Sequence, residues 1–254
     1  MATNQPVVTF REYPVNAGGL TLNCREAGNG LPVIFLESLR WGNRNFYDAL
    51  ARSFHLFILE LVSGEAEQIE PAVREAAEML AGDAYNLVGS SRGANIALRT
   101  VLRVARDPEP AESLVLLSPT AVRPTDALSN LSQDQWSSLL LAHPEQFDNT
   151  GDLPAGVDLG SILSPRDSDN DLEAMLPQVK SPTLAVFGTR DRLISKEAPS
   201  TYRGSIPNCH VSLVYDTAHL PAAERPEAVA SAVTDFIENR ETFVVNRHSS
   251  VINP

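Results

Sequence analysis

The stretch Tyr85-Asn-Leu-Val-Gly-Ser-Ser-Arg-Gly-Ala-Asn-Ile-Ala-Leu98 decides the fold of this chain. Its first half is a short apolar run, and its second half carries small and aliphatic residues at helical spacing. This pattern predicts a buried strand that turns directly into a helix. The turn itself, Gly89-Ser-Ser-Arg-Gly93, has the form G-x-S-x-G. Glycine two residues to either side of Ser91 allows a turn tight enough to hold the serine in a strained backbone conformation at the end of the strand.

Apolar runs and helical periodicities alternate on both sides of this stretch. Strands are predicted at residues 7–13, 20–25, 32–36, 55–61, 113–117, 183–187 and 211–215, and helices at 46–54, 68–81, about 92–105, 172–179 and 226–239. The first two strands are predicted to form a hairpin around residues 16–19. The later alternation of strand and helix is typical of an α/β protein with a mostly parallel, twisted sheet and flanking helices.

Residues 120–170 interrupt that alternation with a helix-like segment at 132–141 and a turn-rich passage. About fifty residues without strong apolar periodicity could hardly fold alone, so we predict a small helical lid inserted into a single domain that spans residues 1–254. Residues 244–254 are expected to form a loosely tethered tail.

Composition and charge restrict the function classes. The formal net charge of −12, without a long Lys/Arg cluster, argues against nucleic acid or an anionic membrane as a partner. The first residues carry neither a basic patch nor an apolar run, and a cytoplasmic location is expected. Cys24 and Cys209 are far apart and are expected to be reduced thiols in or near the core. The histidines lack metal-ligand spacing, so no metal site is predicted.

Two further motifs accompany the serine turn. The first is Pro182-Thr-Leu-Ala-Val-Phe-Gly-Thr-Arg-Asp191, and the second is Tyr215-Asp-Thr-Ala-His219 followed by Glu224-Arg-Pro-Glu-Ala-Val. With the serine turn, they resemble the nucleophile elbow, the acid after the seventh strand and the loop histidine of the α/β-hydrolase family, in that family's chain order. The resemblance covers residues 7–239 and implies the α/β-hydrolase fold with Ser91, Asp191 and His219 as a catalytic triad.

The chemistry of these three side chains supports that reading. A serine hydroxyl needs a neutral imidazole to take its proton, and the imidazole needs a carboxylate to fix its tautomer and stabilise its cation. Each residue also has a structural alternative: Ser91 as a turn residue, His219 as a helix cap and Asp191 as a turn or N-cap residue. Asp126, after the sixth strand, is a rival acid.

The resemblance places one oxyanion donor at the backbone N–H of Arg92 and the other at that of Leu39. The family commonly has His-Gly after the third strand, whereas this chain has Glu37-Ser38. Glu37 is expected to border the pocket, either in a partly exposed ion pair with Arg92 or Arg40 or unpaired and facing the oxyanion site. Alternatively, the two arginines recognise an anionic group on the substrate. The residues predicted to line the substrate pocket are Glu37, Arg40, Trp41, Trp136 and Leu140.

The sequence thus predicts a serine hydrolase that cleaves an ester or thioester through an acyl-Ser91 intermediate, without a cofactor. One alternative is an acyltransferase that passes an acyl group from a carrier-bound thioester to an acceptor other than water, with an acyl carrier protein as partner. The other is a non-catalytic ligand-binding member of the fold. Specificity in this fold resides in loops and lid, so the acyl group is not predicted.

Overall fold

The structure is a computed structural model that describes residues 8–38, 44–61, 66–103, 111–123, 125, 139–147 and 170–249. The strands are β1 (Arg11–Ala17), β2 (Leu20–Ala27), β3 (Pro32–Glu37), β4 (His55–Glu60), β5 (Tyr85–Ser90), β6 (Ala111–Leu117), β7 (Thr183–Gly188) and β8 (Cys209–Val214). The α-helices are α1 (Arg44–Ala51), α2 (Ala66–Ala81), α3 (Arg92–Leu102), α4 (Asn170–Met175), α5 (Ala198–Ser205), α6 (Pro221–Glu224) and α7 (Pro226–Ser249). Short 3₁₀ helices occupy Pro144–Gln146 and Leu176–Gln178.

The strands form one eight-stranded sheet in the order β1-β2-β4-β3-β5-β6-β7-β8. Strand β2 pairs antiparallel with β1 and β4, and the pairs from β4 to β8 are parallel. Every residue of β5 and β7 is buried, as expected for strands covered on both faces. The predicted mostly parallel sheet with flanking helices is confirmed.

Alternation along β3 divides its side chains between two apolar cores. Ile34 and Leu36 pack in the core that contains α2 and α3, whereas Val33 and Phe35 pack in the core that contains α1 and α7. Successive side chains of a strand point to opposite faces, so the continuous apolar run supplies both cores. The two layers of helices hold the carboxyl ends of β3, β5 and β7 at one edge of the sheet.

The first hairpin differs from its predicted boundaries. Strand β1 begins at Arg11 rather than at residue 7, and Ala17 pairs with Leu20, so the loop consists of Gly18 and Gly19 alone. Both glycines have positive φ, 56° and 77°, which suits the tight two-residue turn that matches strand twist. The prediction placed four residues in this loop because the polar and small residues before the glycines look like turn residues.

The last helix also differs from the prediction. Helix α7 continues to Ser249, and the predicted end at Asn239 is instead a kink with φ −115° and ψ 19°. Residues 244–249 of the expected tail are helical, and residues 250–254 lie outside the described chain. Within the described ranges, none of the helices combines the length and apolar character that crossing a bilayer requires.

Most of the predicted lid, including residues 126–138 and Trp136, lies outside the described residues. Leu139, Leu140 and Leu141, at the end of the predicted helix-like segment, are buried and belong to neither core cluster. Cys24 and Cys209 are free and buried, as predicted. The single-domain organisation and the lid stay predictions.

Candidate active site

Close backbone packing explains why the serine turn needs its glycines. A Cβ on Gly93 would lie 2.1 Å from the carbonyl oxygen of Leu36, and one on Gly89 would lie 2.3 Å from that of Gly93. Both obstacles are backbone atoms, which cannot swing away as a side chain would. Ser91 sits between the glycines at φ 55° and ψ −121°, a strained conformation for a residue with a Cβ, just before helix α3.

The structure brings the three predicted triad residues together. The Oγ of Ser91 lies 2.9 Å from Nε2 of His219, and Nδ1 of His219 lies 2.9 Å from Oδ2 of Asp191. Ser91 is 1% exposed and His219 is fully buried. An ionised carboxylate only accepts hydrogen bonds, so Nδ1 donates to Asp191 and Nε2 is left to accept the hydroxyl proton of Ser91.

Asp191 is held by a second bond. Its Oδ1 accepts the backbone N–H of Leu193 at 2.8 Å, while Oδ2 accepts from His219. With its two oxygens assigned to different donors, the carboxylate has a fixed orientation. The rival acid, Asp126, lies outside the described residues.

The predicted oxyanion site is described only in part. Arg92 is buried and begins helix α3. The first backbone N–H groups of a helix point along the helix axis, beyond its N-terminal end. Leu39, Arg40 and Trp41 lie outside the described residues. Ser38, which replaces the usual glycine, donates its hydroxyl to the carbonyl of Ser90 at 3.0 Å. This bond ties the start of the loop after β3 to the serine turn, a role that sequence reasoning missed.

Glu37 has different partners from those predicted. Its carboxylate accepts hydrogen bonds from the Arg25 guanidinium and the Tyr47 hydroxyl, and the residue is only 3% exposed. The expected partial exposure is therefore wrong. The partners described for this carboxylate come from β2 and α1, and Arg40 lies outside the described residues. Burial raises the pKa of the Glu37 carboxyl, and the Arg25 charge and the Tyr47 hydrogen bond act in the opposite direction.

Replacing this carboxylate should affect folding more than substrate binding. Glu37→Gln keeps an acceptor for Tyr47 but leaves the Arg25 charge without its buried partner. We expect a loss of about 1–3 kcal/mol in the free energy of unfolding, measured in urea, with KM for an ester changed less than about twofold. Glu238→Gln, at an exposed position on helix α7, is the control and should change stability by less than about 0.5 kcal/mol. A raised KM at unchanged stability would instead place Glu37 against the substrate.

Leu140, a predicted pocket residue, is fully buried beside the histidine loop, the loop of residues 215–220 that contains His219. Its carbonyl oxygen accepts the backbone N–H of Leu220, the residue after His219, at 3.1 Å. The segment 139–143 therefore lies against the proposed base, although the contact described for Leu140 is a backbone bond. Whether its side chain touches an acyl group stays a prediction.

Asn95 is a buried polar residue next to the serine turn that sequence reasoning missed. Its Oδ1 accepts the backbone N–H groups of Thr120 and Ala121, both at 2.9 Å, and its Nδ2 donates to the Thr120 hydroxyl at 2.8 Å. This buried amide, paired at both its oxygen and its nitrogen, ties helix α3 to the segment after β6. Within the helical pattern of α3, an asparagine gave no signal of a distant partner.

His143 and Asp216 form a surface pair at the outer end of the histidine loop. Nε2 of His143 lies 2.9 Å from Oδ2 of Asp216, whose Oδ1 lies 2.7 Å from Arg190. Glu145 lies 3.3 Å from Nδ1 of the same imidazole. The hydrogen bond to Asp216 raises the pKa of His143, and Glu145 acts in the same direction.

This shift predicts a specific pH dependence. A histidine whose pKa is raised on folding stabilises the folded state below its unfolded pKa, and that contribution is lost as pH rises through the folded pKa. We expect NMR titration to give His143 a pKa above its ordinary value. Asp216→Asn should lower it toward that value, whereas Asp48→Asn, on helix α1, should not change it. Equal pKa values in wild type and Asp216→Asn would contradict the pairing.

Among the described residues, no group of three or more His, Cys, Asp or Glu side chains is placed to hold a metal ion.

Comparison with known proteins adds relatives in sequence and in fold. No family model matches the chain. Over 196 residues it is 22% identical to monoacylglycerol lipase abhd6-A of Xenopus laevis, an alignment that covers 64% of this chain and 57% of the relative. The chain thus spans little more than half the length of that curated relative.

Two solved structures cover nearly the whole fold. The meta-cleavage product hydrolase CumD of Pseudomonas fluorescens superposes with a TM-score of 0.74 at 16% identity, over 90% of this chain and 98% of that chain. A thermophilic esterase of Thermogutta terrifontis superposes with a TM-score of 0.72 at 17% identity, over 90% and 98%. At such low identity the likeness concerns the fold. The sheet order, the serine turn between β5 and α3 and these superpositions agree, and the chain has the α/β-hydrolase fold.

Proposed function

We propose that this chain is a serine hydrolase that cleaves an ester or thioester through an acyl-Ser91 intermediate. The observation that carries the proposal is the hydrogen-bonded chain from Ser91 Oγ through His219 to Asp191, with both distances at 2.9 Å. The strained backbone of Ser91 supports it, because such strain persists where the surrounding structure over-determines it, commonly at functional sites.

In the proposed acylation, Ser91 Oγ attacks the carbonyl carbon of the substrate while His219 Nε2 takes the hydroxyl proton. The carbonyl π electrons move to oxygen, and the backbone N–H of Arg92 stabilises that oxyanion together with a donor from the loop after β3. When the tetrahedral intermediate collapses, the bond to the leaving alcohol or thiol breaks. His219 gives its proton to the leaving group, and Asp191 stabilises the imidazolium between the two steps.

Deacylation repeats these steps with water as the nucleophile. His219 takes a proton from the water as its oxygen attacks the acyl carbon, a second oxyanion forms, and the bond to Ser91 Oγ breaks. The proton then returns to Ser91, which restores the resting site and releases a carboxylic acid. Every step uses groups of the chain and water.

The comparisons support the reaction class at a general level. The relatives with the same fold include an esterase and a hydrolase, and the curated relative is a monoacylglycerol lipase. A meta-cleavage product and a monoacylglycerol are different substrates, so we extend to this chain only the hydrolysis of an acyl bond. Acyl length and leaving group are set by the loops and the predicted lid.

A fluorophosphonate probe and a short chromogenic ester test the proposal together. The wild-type protein should be labelled at Ser91, identified by peptide mass spectrometry, and should release the chromophore over many turnovers. A matched pair of substrates with the same acyl group, one an oxygen ester and one a thioester, then shows which leaving group is preferred.

The alternatives give different results in the same assay. Labelling with a burst of one chromophore per protein, followed by turnover only when a thiol, alcohol or amine is added, would indicate an acyltransferase. An acylated carrier protein is then the donor to try next. If the protein shows no labelling and no turnover, the proposal is overturned and a ligand-binding role is favoured.

A further inference from the structure

One carboxylate joins the histidine loop to the segment 139–143. Oε2 of Glu224 accepts the backbone N–H of Ala218 at 2.6 Å, and Oε1 accepts those of Ala142 at 2.8 Å and His143 at 3.2 Å. The carboxylate is partly buried, and its two oxygens serve two separate parts of the chain. The proposed mechanism assigns it no role.

The positions of these donors matter because they flank the proposed base. Ala218 precedes His219 directly, and Leu220, which follows it, donates to the Leu140 carbonyl at 3.1 Å. The backbone on both sides of the imidazole is therefore fixed, on one side by Glu224 and on the other by the segment that Glu224 also binds. A shift of this loop would move Nε2 of His219 relative to Ser91.

We propose that Glu224 is a positioning residue for His219, which it holds in place by fastening the histidine loop to the segment 139–143. The inference rests on the proposed function, since it assigns Glu224 a role in the reaction of Ser91. Only a carboxylate fits, because it can accept at both oxygens, and hydrogen bonds to a charged acceptor are stronger than those between neutral groups. A glutamine has one acceptor oxygen, and its NH₂ group would face either Ala218 or the pair Ala142 and His143.

The test compares Glu224→Gln with Glu227→Gln, an exposed glutamate three residues later on helix α7. For Glu224→Gln we expect kcat to fall about 10- to 100-fold with KM changed less than about threefold, because a displacement of about 1 Å of a reacting group can cost that much. The low-field proton resonance of His219 Nδ1–H should weaken or shift, since it reports the bond to Asp191. Glu227→Gln should match wild type in rate and resonance.

A second variant keeps the test decisive if Glu224→Gln folds poorly. Glu224→Asp keeps the charge and both acceptors but is one methylene shorter, so it should reach one side and give a rate between wild type and Glu224→Gln. If folded Glu224→Gln kept the wild-type kcat and the wild-type resonance, the positioning role would be overturned. Where Glu224→Gln does not fold, wild-type kcat and resonance in Glu224→Asp would overturn it.

The two readouts separate this inference from the proposed function. The resonance belongs to the resting protein and requires no turnover. If the His219 resonance changes in Glu224→Gln but the wild-type protein hydrolyses nothing, the positioning role stands and the hydrolase proposal fails. If the wild-type protein hydrolyses the ester and Glu224→Gln does so at the same rate, the hydrolase proposal stands and the positioning role fails.

Discussion

Ser91→Ala should abolish both covalent labelling and turnover while leaving the fold intact. The variant loses the proposed nucleophilic oxygen, and removing the nucleophile of an assembled triad costs roughly 10⁶-fold in kcat. The hydroxyl makes one described side-chain contact, to His219 Nε2, so the free energy of unfolding should change by about 1 kcal/mol or less.

The neighbouring serine provides the control for this prediction. Ser90→Ala alters the adjacent side chain but keeps the backbone carbonyl that accepts the Ser38 hydroxyl. It should still be labelled by the fluorophosphonate and should turn over the ester. Substantial activity in Ser91→Ala would overturn the nucleophile assignment and with it the acyl-Ser91 mechanism. Labelling that is lost in Ser90→Ala but kept in Ser91→Ala would do the same.

The second large effect is expected at Asp191. In Asp191→Asn the amide oxygen can keep the bond from the Leu193 N–H, which turns the NH₂ group toward Nδ1 of His219. Nδ1 must then accept, so the proton moves to Nε2, where it blocks transfer from the Ser91 hydroxyl. We expect kcat to fall on the order of 10⁴-fold with little change in KM.

Asp126→Asn is the comparison for Asp191, since Asp126 is the other acid that the sequence offers. Its kcat should stay within about threefold of wild type, because Asp191 already occupies Nδ1 of His219. Steady-state kinetics on the same ester measures both variants. A larger loss in Asp126→Asn than in Asp191→Asn would transfer the role to Asp126.

Local patterns carried enough information for most of the fold. The buried strands β3, β5 and β7 were predicted to within a few residues because continuous apolar runs are unusual outside a covered sheet. The proximity of Ser91, Asp191 and His219 was implied by the resemblance of their three motifs to the α/β-hydrolase family. Boundaries were less predictable where composition misleads, as at Ala17, a small residue that pairs within β1.

Side-chain partners far apart in sequence were the part that could not be predicted. Glu37 bonds to Arg25 and Tyr47 because the sheet order places β2 and α1 around the end of β3, and a polar pattern carries no record of that order. The three backbone donors of Glu224 were hidden for the same reason, since a backbone N–H has no signature in a sequence. The predictions for Leu39 and Trp136 concern residues outside the described ranges.

The close packing at Gly89 and Gly93 separates two kinds of selection that one five-residue motif combines. The fold requires the glycines, because backbone oxygens occupy the space that a side chain would need. The proposed reaction, rather than the fold, requires Ser91, because its left-handed φ of 55° would suit a glycine better. A descendant of this protein that lost the proposed activity would therefore be free to discard the serine during evolutionary drift, yet would still have to keep both glycines. Among its descendants, the glycines would then trace common ancestry, and the serine would trace retained catalysis.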